Sequence, residues 1–81
     1  MYWGVEMERP APEALPRVRV TIGTDGKSFS LSMPVEEIRT RDGLALVAAW
    51  AFEIKRLPGM TLNVWELCRL LDHLESTYLT E

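Results

Sequence analysis

Residues 43–79, GLALVAAWAFEIKRLPGMTLNVWELCRLLDHLESTYL, decide how this chain folds. In the second half of the stretch, Val64, Leu67, Leu71, Leu74 and Tyr78 recur at spacings of three and four, one stripe along an α-helix widened by Leu70. Glu66, Arg69, Asp72, His73 and Glu75 fall on the opposite side, so this helix has one dry face and one wet face. Asn63 followed three residues later by Glu66 predicts a capping box, in which each side chain serves an unpaired N–H of the first turn. Arg69 and Asp72, three apart, are placed to pair on the wet side.

The first half of the stretch, about Leu44 to Leu57, reads differently. Leu44, Val47, Ala51 and Ile54 form one stripe, and Leu46, Trp50 and Leu57 form a second. Ala45, Ala48, Ala49 and Phe52 fill much of the remaining surface, and no charge occurs between Gly43 and Glu53. A helix apolar nearly all round is expected to be buried. It is too short to span a bilayer, which takes about 20 apolar residues. Pro58 and Gly59 stop it, with Lys55 and Arg56 in the last turn, where cations suit the negative end of the helix dipole. The alanines also allow another backbone to come close.

Working outward, residues 17–33 predict a β-hairpin. Val18, Val20 and Ile22 alternate with Arg17, Arg19 and Thr21, and Phe29, Leu31 and Met33 alternate with Ser28, Ser30 and Ser32. With Asp25-Gly26 as a two-residue type I′ turn, Ile22 faces Phe29, Val20 faces Leu31 and Val18 faces Met33, so one register gathers every apolar residue on one face. Between hairpin and helix pair, residues 34–42 read as a short helical turn. Pro34 cannot extend the ladder, Glu36 and Glu37 suit a helix N-terminus, Val35 and Ile38 dock inward, and Thr40 to Gly43 is the break. A single helix from Pro34 to Leu57, kinked at Gly43, is the alternative.

Upstream, residues 1–8 hold a candidate strand, because Trp3, Val5 and Met7 alternate with Gly4, Glu6 and Glu8. Residues 9–16 contain Pro10, Pro12 and Pro16, which exclude both a helix and a central strand. They form a stiff connector that either returns the strand to the sheet or carries a loose arm. The fold expected is therefore α+β: one domain spanning residues 1–81, with a small antiparallel sheet packed on a two-helix C-terminal hairpin at 43–79.

Size and charge narrow the function. A chain of 81 residues removes only a little over 60% of its unfolded surface from water, so a well-filled core or a second chain is needed. Hydrophobic residues at 47% and charged residues at 26% are globular values. A net charge of −3 argues against nucleic acid or an anionic membrane. Cys68 is the only cysteine, which excludes an internal disulfide and fits a reducing cytoplasm. No signal-peptide pattern or transmembrane run is seen, and a cytoplasmic protein is expected.

No residue constellation carries chemistry. Cys68 and His73 are five apart, roughly 140° round a helix, and cannot grip one metal. An inert Cys68 and a solvated or capping His73 are expected. Glu36 and Glu37 are adjacent rather than facing, and Gly23-x-x-Gly26 belongs to the hairpin turn rather than to a phosphate loop. Catalytic, cofactor and metal sites are all expected to be absent. The aromatic residues Trp50, Phe52, Trp65 and Trp3 are instead the candidates for binding a partner, since tryptophan is enriched among interface anchors. Trp50 and Phe52 lie on different sides of their helix, so one is core while the other points outward.

Two readings of function follow. The first is a small non-enzymatic interaction module, an adaptor or inhibitor that forms a homodimer or docks on a larger cytoplasmic protein. Acidic, motif-free chains of this size are common among phage and mobile-element products, which makes that origin an analogy. The second starts from Phe29 to Leu79. The run Phe29-Ser30-Leu31-Ser32-Met33-Pro34 followed by two helices resembles the strand–helix–helix order of ribbon-helix-helix repressors. That resemblance implies a DNA-binding dimer in which Ser28, Ser30 and Ser32 read bases. The chain departs from the family pattern in its own hairpin partner strand, in a first helix about ten residues late and in its acidity. Arg17, Arg19, Lys27, Arg39 and Arg41 offer a basic cluster against Asp25, Glu36, Glu37 and Asp42 in the same stretch.

Overall fold

The alternation of Val18, Val20 and Ile22 with polar neighbours predicts a strand with one dry face, and all three side chains are fully buried. They lie on β2 (Arg17–Thr24), the middle strand of a three-stranded antiparallel sheet. The computed structural model describes residues 1–9 and 11–81. β3 (Lys27–Pro34) returns from the turn in the register the alternation predicts, with Ile22 opposite Phe29, Val20 opposite Leu31 and Val18 opposite Met33. The turn itself is not type I′. That type needs positive φ at both central residues, whereas Gly26 alone has it, at 76°, and no described non-glycine residue does. Positive φ confined to the second central residue is the pattern of a type II turn.

β1 (Tyr2–Glu8) pairs with the other edge of β2, Trp3 facing Ile22 and Val5 facing Val20. The proline-rich connector therefore returns this strand to the sheet, through a turn in which the Ala14 N–H donates to the Ala11 carbonyl at 3.0 Å. Pro10, part of that connector, lies outside the described residues.

Pro34 does extend the ladder by one residue, opposite Arg17. Hydrogen-bonded and non-bonded pairs alternate from the Thr24–Lys27 pair at the turn, which places Pro34 at a non-bonded pair where its missing N–H costs nothing. It also occupies the N-cap position of α1 (Val35–Ile38), with no side-chain bond to the first turn. The kinked single helix does not form, because the chain breaks at Arg39 and Thr40 before α2 (Arg41–Lys55). α2 starts about three residues earlier than the apolar pattern indicates: the Thr40 hydroxyl accepts the Gly43 N–H at 3.0 Å and caps the helix there. After the hinge, where Gly59 takes φ 80°, α3 (Val64–Tyr78) begins as expected. The Asn63 carbonyl oxygen accepts the Trp65 N–H at 2.8 Å. The reciprocal half of the capping box is missing because the Glu66 carboxylate accepts from Trp3 Nε1 at 3.3 Å. Arg69 likewise turns to Glu66, at 3.7 Å, rather than to Asp72.

All three helices lie on one face of the sheet. α1 approaches β2 and β3, α3 approaches β1, and α2 packs against α1 and α3. Ile38, Val47, Ala51, Leu67, Leu70 and Leu74 are fully buried with the three β2 residues. Each such leucine stabilises the fold by about 2 kcal/mol relative to exposure. Gly43 marks the tightest crossing, since a Cβ there would overlap the backbone carbonyl of Glu37 on α1. Two backbone-level bonds fasten the last residues to the α1–α2 junction: the Thr80 N–H donates to the Arg39 carbonyl at 3.1 Å, and the Glu81 carboxylate accepts the Arg41 N–H.

Candidate interaction surface

The accessible surface of the chain is 5233 Å², close to the roughly 5,000 Å² of a free monomer of its mass. The amount of surface is ordinary; its chemistry is not. α2 buries only the face carrying Gly43, Val47, Ala51 and Ile54. The expectation that this helix is covered on all sides fails, because the chain has one sheet and two helices to lay against it, and these reach one side. Ala45 and Ala49 are exposed, Leu46 is 53% exposed and Phe52 is 37% exposed. Helical spacing puts Ala45, Ala48, Ala49 and Phe52 in one outward strip. Beside it, between α2 and α3, runs an open groove of about 250 Å³ lined by Leu44, Ala45, Ala48, Leu71 and Leu79, with Arg41 and Glu75 as its charged members.

The four aromatic residues singled out from the sequence separate into two kinds. Trp65 is 72% exposed, because its place in the first turn of α3 points directly away from the Leu67–Leu70–Leu74 face. Phe52 is exposed on α2, whereas Trp50, two residues earlier, is half-buried against the core. Trp3 is also half-buried. It packs on the core from β1, donates to Glu66 and stacks at a tilt on His73 with ring centroids 5.5 Å apart. The structure does not bring these four together in one patch. Two surface residues that the sequence stripes placed inward, Val64 and Leu57, also reach solvent at the hinge end of the hairpin.

A second, shallower groove lies where β1 meets α3, lined by Trp3, Arg69, Asp72, His73 and Ser76. Charged side chains stand on its rim, and Glu66 beside it accepts from Trp3 and holds Arg69. No sequence signal announces it, because Trp3 and Glu66 are 63 residues apart. Cys68 is exposed on α3, and among the described residues no three of His, Cys, Asp or Glu are grouped to hold an ion.

The sheet face away from the helices is wet and self-satisfied. Arg19 meets Glu8 at 2.8 Å and Glu6 at 3.7 Å. Arg17 donates from Nε to the Ser32 hydroxyl at 3.0 Å and from its terminal nitrogen to the Ser32 carbonyl at 3.2 Å. The Thr21 and Ser30 hydroxyls lie 3.2 Å apart. Two arginines of the basic cluster thus already have partners from this chain. No described helix is long and apolar enough to cross a membrane. Compared with protein-family models, with characterised proteins and with solved structures, the chain matches none.

Proposed function

We propose that this chain is a small non-enzymatic interaction module, acting in the cytoplasm, that self-associates or docks on a larger protein through its helical hairpin. One observation carries the reading: α2 runs ten residues, Gly43 to Phe52, without a charge, and its outward strip lies open to water. Exposed apolar surface that is contiguous rather than scattered marks a binding face in soluble domains. Phe52 and Trp65 are the exposed aromatic residues of the helical hairpin, in separate places on it, while Trp50 and Trp3 are half-buried against the core. An adaptor or inhibitor role fits a chain whose surface offers shape and apolar contact in place of reactive groups.

The nucleic-acid reading draws less support. Ser28, Ser30 and Ser32 do stand on the wet face of β3, as a ribbon-helix-helix reader would need. Two of the basic side chains around them, Arg19 and Arg17, are however taken up by Glu6 and Glu8 and by Ser32. Molar mass in solution tests the choice, measured by light scattering on the chain alone and with duplex DNA at low salt. A mass of about twice 9.3 kDa that ignores the DNA is expected. A monomer that gains mass only when DNA is added overturns the interaction reading in favour of the repressor-like one.

A further inference from the structure

We propose that the free edge of β3 is a docking surface for a second copy of this chain, the two β3 strands pairing antiparallel about a two-fold axis at Ser30 to join two three-stranded sheets into one. This surface lies on the sheet rather than on the helical hairpin, so it adds to the reading above without resting on it. Strand order makes β1 and β3 the two edges, and they are not equivalent. β1 carries Glu6 and Glu8, and its Trp3 is tied to Glu66 of α3, so charge and a helix both guard it. β3 has no charge from Ser28 to Pro34 and no bulge, since its register against β2 runs unbroken from Lys27 to Pro34.

The backbone selects one register. The Thr24–Lys27 pair at the turn is hydrogen-bonded, so Lys27, Phe29, Leu31 and Met33 turn their backbone groups to β2 while Ser28, Ser30 and Ser32 turn theirs outward. These three serines are exposed, and among the described residues only Arg17 reaches the row, donating to the Ser32 carbonyl at 3.2 Å. That carbonyl keeps a second lone pair. With the axis at Ser30, Ser30 pairs with its own mate and Ser28 pairs with Ser32 of the other copy on either side, and every outward N–H and carbonyl of the three serines is used. Sliding by two residues one way brings Pro34, which has no N–H, opposite Ser28. Sliding the other way calls on Gly26, which is held in the turn at φ 76°.

The side chains agree with that register. Pairing serine with serine keeps wet face beside wet face and sets Phe29 of each copy across from Leu31 of the other, in the close, non-bonded positions. Both residues are half-buried against the core and gain cover. Charge does not oppose the pairing. The turn of one copy, with Asp25 and Lys27, arrives at the Pro34 end of the other, where Arg17, Glu36 and Glu37 stand, so both signs are present on each side and no like pair lies opposite in the ladder. Main-chain bonds supply the affinity of such a strand addition, and the side chains fix its specificity.

Disulfide trapping reads the register. Cys68→Ser first removes the native thiol. In that background Ser30→Cys sets two Cα atoms about 5.5 Å apart across the axis, within disulfide reach, whereas Ser28→Cys lies about 14 Å from its own mate. Under mild oxidation Ser30→Cys is expected to give about tenfold more covalent dimer than Ser28→Cys, and a mixture of Ser28→Cys and Ser32→Cys chains is expected to cross-link between the two variants. Equal trapping at positions 28 and 30 overturns the pairing about Ser30. A doubled mass in solution without Ser30→Cys trapping overturns the β3 pairing and leaves the interaction reading standing, with the copies meeting on the helical hairpin. A constant 9.3 kDa without trapping overturns the pairing together with the self-associating form of that reading.

Discussion

α2 and α3 are each 15 residues long and each begins on a side-chain cap, Thr40 for one and Asn63 for the other, yet they meet water in opposite ways. α3 turns Leu67, Leu70 and Leu74 inward and shows Arg69, Asp72, His73 and Glu75 to solvent. α2 turns Val47, Ala51 and Ile54 inward and shows Ala45, Leu46, Ala49 and Phe52. An amphipathic helix needs nothing beyond its own domain. A helix apolar on both sides has a second face that a domain of this size leaves open to water.

The comparison breaks most directly at the core. Leu70→Ala on α3 is expected to cost about 3 kcal/mol, read as a lowered denaturant midpoint, because the site is fully buried in the core. Phe52→Ala on the outer face of α2 is expected to change the stability of the monomer far less. Equal losses for the two variants would mean that the outer face is packed after all.

Gly43→Ala sharpens the contrast next. Helix propensity alone favours alanine over glycine by up to about 1 kcal/mol. Here the added Cβ overlaps the Glu37 carbonyl, so a destabilisation of about 2 kcal/mol is expected in thermal or chemical unfolding. A stabilised variant would show that α1 and α2 are not in close contact.

The caps give a smaller and equal effect. Thr40→Ala and Asn63→Ala each remove one acceptor for a first-turn N–H and are expected to cost about 1 kcal/mol. Circular dichroism through the unfolding transition measures both, and a loss confined to one variant would mean that the two helices do not begin on equivalent caps. Smallest of all, Trp65→Ala is expected to move stability by no more than about 0.5 kcal/mol, as for other exposed sites. A larger loss would place Trp65 in the fold rather than at its surface.

Much of the fold was legible without coordinates because it rests on period. Alternation along residues 17–33 selects one register, since a slip by a single residue would carry Val18, Val20 and Ile22 to the wet side. The start of α3 was legible because Asn63 acts locally, through a bond to an amide two residues on. The candidate surface was legible in part: the uncharged run of α2 signals surplus apolar surface, but which of Trp50 and Phe52 faces out depends on the side from which α1 and α3 approach.

Element types, the hairpin register and the break between the two long helices are legible along the chain, because each follows from side-chain spacing or from the backbone limits of proline and glycine. What those elements leave open is set by the contacts between them. Glu66 abandons its capping partner for Trp3, Arg19 is taken up by Glu6 and Glu8, and α2 keeps one apolar face in water. The physical reason is common to all three. Hydrogen bonds, ion pairs and burial across the fold depend on groups far apart in the chain, and no local pattern records which of them meet.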